Sequence, residues 1–387
     1  MKIAINLVST NIGSGTKTYN INFCNQLIKH KKINNNIYIY ICKNYLKFID
    51  KKIYKKPKIK IIIKSDILSN FFLRLIWTQI ILPIDIKLKN IQTLVSPMNI
   101  SPLFIKYMKV NSILALHSNL PWKFFNLMPG NKLKNKITKK FMEISIHNCQ
   151  KLIVDSEHAK KDIKNILNLD KEKINKIYLG IDSKIYKKRN HNRIKNFNYD
   201  NKYLLSVISC VRYHNILNLL KAFKKIHYKN KKIKFVLVMQ ILDTKYFNEI
   251  ETFIKKNNLQ SKVKVFTNLE SKYLINLYRN AYLYIFSSYS EVFGYTTIEA
   301  MASGCPILVS NTSSLPEING KAAVYFHPNK INSIVNALNM ILKQKKKRYQ
   351  LINLGYKRVK KFSIEKNFDE TFALIDKNKN INNLIKK

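Results

Sequence analysis

Short apolar runs alternate with longer helical patterns along most of this chain. Residues 2–9 read as a strand and residues 16–30 as a helix, with further strands at 37–42, 59–63, 94–96, 112–116 and 152–155. The runs are mostly continuous rather than alternating, as expected of parallel strands covered on both faces. Strands and helices in this succession predict a doubly wound α/β domain. From Ser183 the text turns polar and loses its period, through Lys187, Lys188 and Arg189 to Arg193, and reads as a crossing between domains. The pattern then restarts. Strands are predicted at 203–209, 235–239, 263–267, 282–287 and 306–310, and helices at 215–226, 246–256, 272–280, 297–302 and 331–342. A length of 387 residues suits two domains of this kind. The expected division is an N-terminal domain at 1–182, a linker at 183–201, a C-terminal domain at 202–361, and a helical segment at 362–387.

Composition narrows the picture. The formal net charge is +48, from 70 Lys and Arg against 22 Asp and Glu. Such a surface attracts nucleic acid or an anionic membrane face. The lysines are spread along the chain, however, and Lys, Ile and Asn are abundant while Gly and Pro number only 8 and 9. Coding bias accounts for that mixture, so a dedicated nucleic-acid surface is the less favoured reading, and contact with an anionic membrane stays open. The cysteines Cys24, Cys42, Cys149, Cys210 and Cys305 are odd in number and far apart. They predict neither a disulfide framework nor a zinc site, and they point to a reducing compartment. Residues 2–8 read as a buried strand rather than a signal peptide. No run reaches the roughly 18 apolar residues of a spanning helix. Residues 71–86 come nearest, interrupted by Arg74, Gln79, Pro83 and Asp85. The expected location is the cytoplasm, with peripheral contact at the inner membrane face open.

Two segments carry chemistry. The first strand runs into Asn11-Ile12-Gly13-Ser14-Gly15-Thr16 and then a helix. Gly13 and Gly15 let backbone N–H groups approach an anion at a helix N-terminus, although for this motif alone a tight strand-to-helix turn is the favoured reading. No Gly-Lys-Ser/Thr follows, so this is not a nucleoside-triphosphate loop of the Walker type. The stronger segment runs from Ser290 to Pro306. It sets Glu291 in a loop, then Phe293-Gly294-Tyr295-Thr296, then Glu299 inside a helix, and stops at Gly304-Cys305-Pro306. Gly294 permits close backbone approach. Glu299 is placed to accept bonds from adjacent ribose hydroxyls, as carboxylates do in dinucleotide sites.

This segment resembles the Glu-x7-Glu motif of retaining glycosyltransferase family 4. The resemblance continues through Ser313-Ser314-Leu315-Pro316-Glu317, and upstream through Leu75-Ile76-Trp77-Thr78-Gln79, Ser96-Pro97-Met98-Asn99, Val154-Asp155-Ser156-Glu157-His158 and Tyr178-Leu179-Gly180-Ile181-Asp182. It implies a GT-B fold, two Rossmann-like domains facing a cleft, with the donor held mainly by the second and a last helix returning to the first. It implies that Glu299 binds the donor ribose, that Glu291 lies near the donor sugar, and that Phe293, Gly294, Tyr295 and Thr296 line the donor. Gly13 and Gly15 would line the phosphate side. His117, in Leu116-His117-Ser118-Asn119-Leu120-Pro121, matches the family's His near the reacting sugar, with Ser118 where Asp is common. Arg212 matches the arginine of the phosphate clamp, while His214 stands where a lysine is usual, which leaves Arg279 as a substitute cation. The implied activity is metal-independent hexosyl transfer from a GDP- or UDP-sugar, mannose slightly favoured, to a saccharide or lipid-linked acceptor in surface polysaccharide synthesis. The alternatives are another enzyme of the same fold, such as a nucleotide-sugar epimerase or sugar-phosphate synthase, or a non-catalytic relative that binds membrane or nucleic acid.

Overall fold

Strands with apolar side chains on both faces need cover on both, and the chain supplies it twice. The computed structural model describes residues 1–9, 15–30, 34–187, 192–199, 202–228 and 232–384. These fall into two compact units. The first comprises residues 1–122, 133–180 and 364–387, and the second residues 123–132 and 181–363.

The first unit holds seven parallel strands: β1 (Lys2–Asn6), β2 (Asn36–Cys42), β3 (Ile59–Lys64), β4 (Thr93–Ser96), β5 (Asn111–Leu116), β6 (Lys151–Val154) and β7 (Ile174–Lys176). Their order is β3-β2-β1-β4-β5-β6-β7. Every residue of β4 and β5 is buried, whereas the edge strand β3 exposes Lys60 and Ile63. A lysine on an edge strand discourages pairing with foreign strands. The helix Ile364–Leu384 belongs to this unit, and Phe368, Phe372 and Ile375 join its core. Phe368 lies 5.3 Å from the Phe23 ring.

The second unit holds β8 (Tyr203–Cys210), β9 (Lys234–Ile241), β10 (Val263–Thr267), β11 (Leu283–Phe286), β12 (Ile307–Ser310) and β13 (Ala323–Phe326), all parallel, in the order β10-β9-β8-β11-β12-β13. In each sheet the crossovers reverse direction once, between β1 and β4 and between β8 and β11. Ligands of open α/β sheets bind beyond the carboxyl ends of the strands at such switch points. The segment read as an aperiodic crossing contains a short helix, Ser183–Lys187, which belongs to the second unit. Its period is too short to show in the sequence, and tertiary bonds hold it. The Arg279 guanidinium donates to the Tyr186 carbonyl at 2.9 Å.

Candidate functional site

The chemistry-bearing residues collect at the two switch points. In the second unit, β8 leads into a single 3₁₀ turn, Arg212–His214, and Asn215 then reverses the chain at φ +60° into the helix Ile216–His227. An asparagine tolerates that left-handed conformation. Beyond β11, Ser287 Oγ donates to the His214 carbonyl at 2.8 Å, and the Tyr289 N–H donates to the Tyr213 carbonyl at 2.8 Å. These bonds tie the two loops together and bring His214 to Glu291.

His214 is 7% exposed. Its Nδ1 lies 2.7 Å from the Ser209 carbonyl oxygen, and its Nε2 lies 3.1 Å from Glu291 Oε1. A carbonyl only accepts, so Nδ1 carries a hydrogen. Nε2 then faces the Glu291 carboxyl across the switch point. The Glu291 backbone is fixed in turn. Its N–H donates to Ser313 Oγ at 2.8 Å, and its carbonyl accepts from Ser314 Oγ at 2.8 Å. This gives the Ser313-Ser314 motif a physical task that the sequence did not disclose.

Gly294 caps the helix Tyr295–Ala302 at φ +83°. A Cβ there would stand 2.6 Å from Leu315 Cδ2 at a φ that side chains disfavour, so any other residue requires Leu315 to shift. The Phe293 side chain is 2% exposed and packs edge-on against Phe362 at 5.5 Å. Thr296 Oγ1 accepts from the Tyr284 hydroxyl at 2.7 Å. One turn on, Glu299 Oε1 accepts from Tyr186 at 2.7 Å and Oε2 from Tyr278 at 3.0 Å. Burial pushes the Glu299 carboxyl above the usual carboxylate range, and the two tyrosine bonds oppose the shift. Burial and the Glu299 charge also raise both tyrosines far above their ordinary value. The two oxygens expected to meet ribose thus meet two phenols here.

Arg212 has partners within its own unit. It forms an ion pair with Glu249, has Asp243 3.8 Å from Nε, and lies over the Tyr246 ring at 5.1 Å. The bond to Glu249 raises its pKa further. Arg279, the substitute, is bound to the Tyr186 carbonyl.

In the first unit, His117 follows β5. Its N–H donates to Asn99 Oδ1 at 2.7 Å, and Asn99 follows β4 at φ +64°. Its Nδ1 lies 2.9 Å from Asp155 Oδ2, and Asp155, 1% exposed, follows β6. Burial lowers the His117 pKa, but the charge and hydrogen bond of Asp155, with the Pro97 carbonyl, outweigh it and leave the ring raised. The Tyr19 ring stands 5.0 Å away. Nε2 is shielded from solvent and makes no hydrogen bond of ordinary geometry among the described residues. Gly15 is the first residue of the helix Gly15–Lys29. Gly13 lies outside the described residues.

Reading the sequence missed Asp155, Tyr186, Tyr278 and Ser313 as parts of these sites. Asp155 carried a local signal, a carboxylate just past a strand and ahead of the helix cap Ser156, and Ser313 lay in a quoted motif.

Two parallel αβα units with these switch points make a GT-B fold, and solved structures agree. Sucrose-phosphate synthase from Thermosynechococcus elongatus superposes with a TM-score of 0.75 at 17% identity, over 97% of this chain and 98% of that one. Anabaena HepE in complex with UDP and glucose superposes with a TM-score of 0.71 at 14% identity, over 97% and 99%. Residues 187–358, all within the second unit, match the family described as glycosyl transferases group 1. The O-antigen chain mannosyltransferase RfbU of Salmonella typhimurium is 25% identical over 236 residues, which are 60% of this chain and 61% of that protein. The chain thus spans about three fifths of that relative's length.

Proposed function

We propose that this protein is a retaining glycosyltransferase. It moves a hexose, with mannose favoured, from a GDP- or UDP-sugar to a saccharide or lipid-linked acceptor in surface polysaccharide synthesis. The observation that carries this reading is the pairing of His214 with Glu291 across the β8/β11 switch point, in the unit that matches the family. The mannosyltransferase name of the relative supports the sugar, and the UDP complex of the structural neighbour supports a nucleotide donor.

In this reading Glu299 takes the ribose hydroxyls in place of Tyr186 and Tyr278. The backbone of Phe293 and Gly294, with Tyr295 and Thr296, lines the sugar side. The bond from the anomeric carbon to the diphosphate oxygen breaks, and the acceptor oxygen bonds on the same face. The acceptor proton leaves with the diphosphate. His214, held by Glu291, is assigned the place beside the leaving group that a lysine takes elsewhere, with no metal required. Arg212 adds to this only by turning away from Glu249. His117, oriented by Asp155, is assigned the contact with the reacting sugar, and Gly13 and Gly15 the phosphate side. No nucleic acid takes part.

The test is thermal stabilisation by a panel of nucleotide sugars, with and without EDTA, on wild type, Glu299→Ala and Glu299→Gln. A ligand at a hundred times its Kd adds about 2.7 kcal/mol of stability. A GDP- or UDP-sugar is expected to raise the wild-type midpoint equally with EDTA, and to fail with Glu299→Ala. A panel without effect, or stabilisation that needs metal, overturns the reading. Glu299→Gln keeps a partner for a buried tyrosine, so it separates lost binding from lost folding.

A further inference from the structure

The helical segment from Phe71 to Leu88 is apolar on both faces. Trp77, Thr78, Leu82 and Ile86 are buried against the first unit. On the other side, Phe72 is 53% exposed, Ile76 52%, Ile80 56%, Ile84 55% and Leu88 75%. A lone exposed leucine means nothing, but five large apolar side chains at a constant spacing of four form a continuous patch.

A π-turn keeps them in line. The Leu82 N–H bonds to the Trp77 carbonyl five residues back, so Trp77–Ile81 absorbs one extra residue just before Pro83. An unbroken α-helix would carry a position from Phe72 to Leu88 about 160° around the axis, and the π-turn reduces this to about 60°. The outward stripe and the inward stripe stay opposed for the whole length. A neighbouring loop extends the patch. Gln79 binds the Ser101 carbonyl at 3.2 Å and the Leu103 N–H at 2.8 Å, beside the exposed Phe104 and Tyr107.

The rim is cationic. Lys87 precedes Leu88 on the exposed side, Lys106 stands 4.8 Å from the Tyr107 ring, and Lys134 stands 5.1 Å from the Phe71 ring. The segment's single acidic residue, Asp85, is paired with Lys89. A second copy of this chain would bring its own +48 charge to the contact and be repelled. A layer of anionic headgroups over hydrocarbon matches both the rim and the stripe. Among the described residues no helix is long and apolar enough to cross a membrane, so the fit is to a surface.

We propose that the face carrying Phe72, Ile76, Ile80, Ile84 and Leu88 docks on an anionic lipid bilayer, the stripe entering the acyl boundary and the lysines meeting the headgroups. This does not rest on the transferase reading, since the patch lies in the first unit and the family match in the second.

The test is flotation of the full chain with phosphatidylcholine vesicles, with and without about one-third phosphatidylglycerol. Wild type is expected to float with the anionic vesicles. The triple variant Ile76→Ser, Ile80→Ser, Ile84→Ser keeps the charge, and its positions are already exposed, so it is expected to melt as wild type does while losing at least about tenfold in partitioning. Ile80→Trp, a separate readout, is expected to shift its emission to the blue when anionic vesicles are added. Equal flotation of the triple variant would show adhesion by charge alone and overturn the proposal. So would an unshifted tryptophan, or a vesicle-free dimer that the triple variant abolishes.

Discussion

At the scale of single residues, the sites are built from pairs rather than from lone functional groups. His117 is set by Asp155, His214 by Glu291, and Glu299 by two tyrosines. The first pair has a measurable consequence. The His117 pKa is raised, so its ion pair contributes stability that is fully present below the unfolded value of about 6.5 and is lost as pH rises through the higher folded value. Asp155→Asn is expected to lower the imidazole titration midpoint followed by NMR. Its deficit in melting temperature against wild type should be largest below about pH 6.5 and narrow above it. An unchanged imidazole midpoint would remove Asp155 as the cause. The identities of His117, Glu291 and Glu299 were legible as motif residues. Their partners were not, because the bonds span 38, 77 and 113 positions in the chain.

At the scale of elements, the stretch from Glu291 to Leu315 works as one unit. Gly294 turns the chain into its helix, Leu315 packs under that turn, and Ser313 and Ser314 hold the Glu291 peptide. Gly294→Ala places a methyl group against the fully buried Leu315 at a positive φ. The combined strain and overpacking should cost about 2–4 kcal/mol. Denaturant unfolding measures the loss, and a loss under about 1 kcal/mol would show that Leu315 relaxes freely. The sequence showed that glycine follows the loop and a helix follows the glycine. That Ser313-Ser314-Leu315 returns to the same turn depends on β12 pairing beside β11, so that the loops after the two strands meet, which no local pattern encodes. The helix from Phe71 to Leu88 is a parallel case. Its apolar content was plain and its interruptions were noted, but which face meets water is decided by the π-turn.

At the scale of the molecule, the chain's last helix completes its first unit. Phe368, Phe372 and Ile375 lie in a core whose other members come from residues 3–177. Removing three large buried side chains costs about 2–5 kcal/mol each, against a net stability of about 5–15 kcal/mol for a domain. A chain ending at Ser363 is therefore expected to lose the folded first unit. Limited proteolysis should then leave a resistant fragment that starts near residue 181, where the second unit begins. Equal resistance of both units would show that the first stands without its last helix.

The α/β class, the GT-B fold and the resemblance to group 1 glycosyl transferases were all in the sequence. They depend on the period of apolar residues and on short motifs, which act over one strand or one helical turn. The partners of Glu299, the pairing of His214 with Glu291, the carboxylate behind His117 and the exposure of the Phe72–Leu88 stripe were decided by the tertiary structure. Each depends on how crossovers bring distant segments to one sheet end or one helix face, and that packing is a property of the whole chain rather than of any window along it.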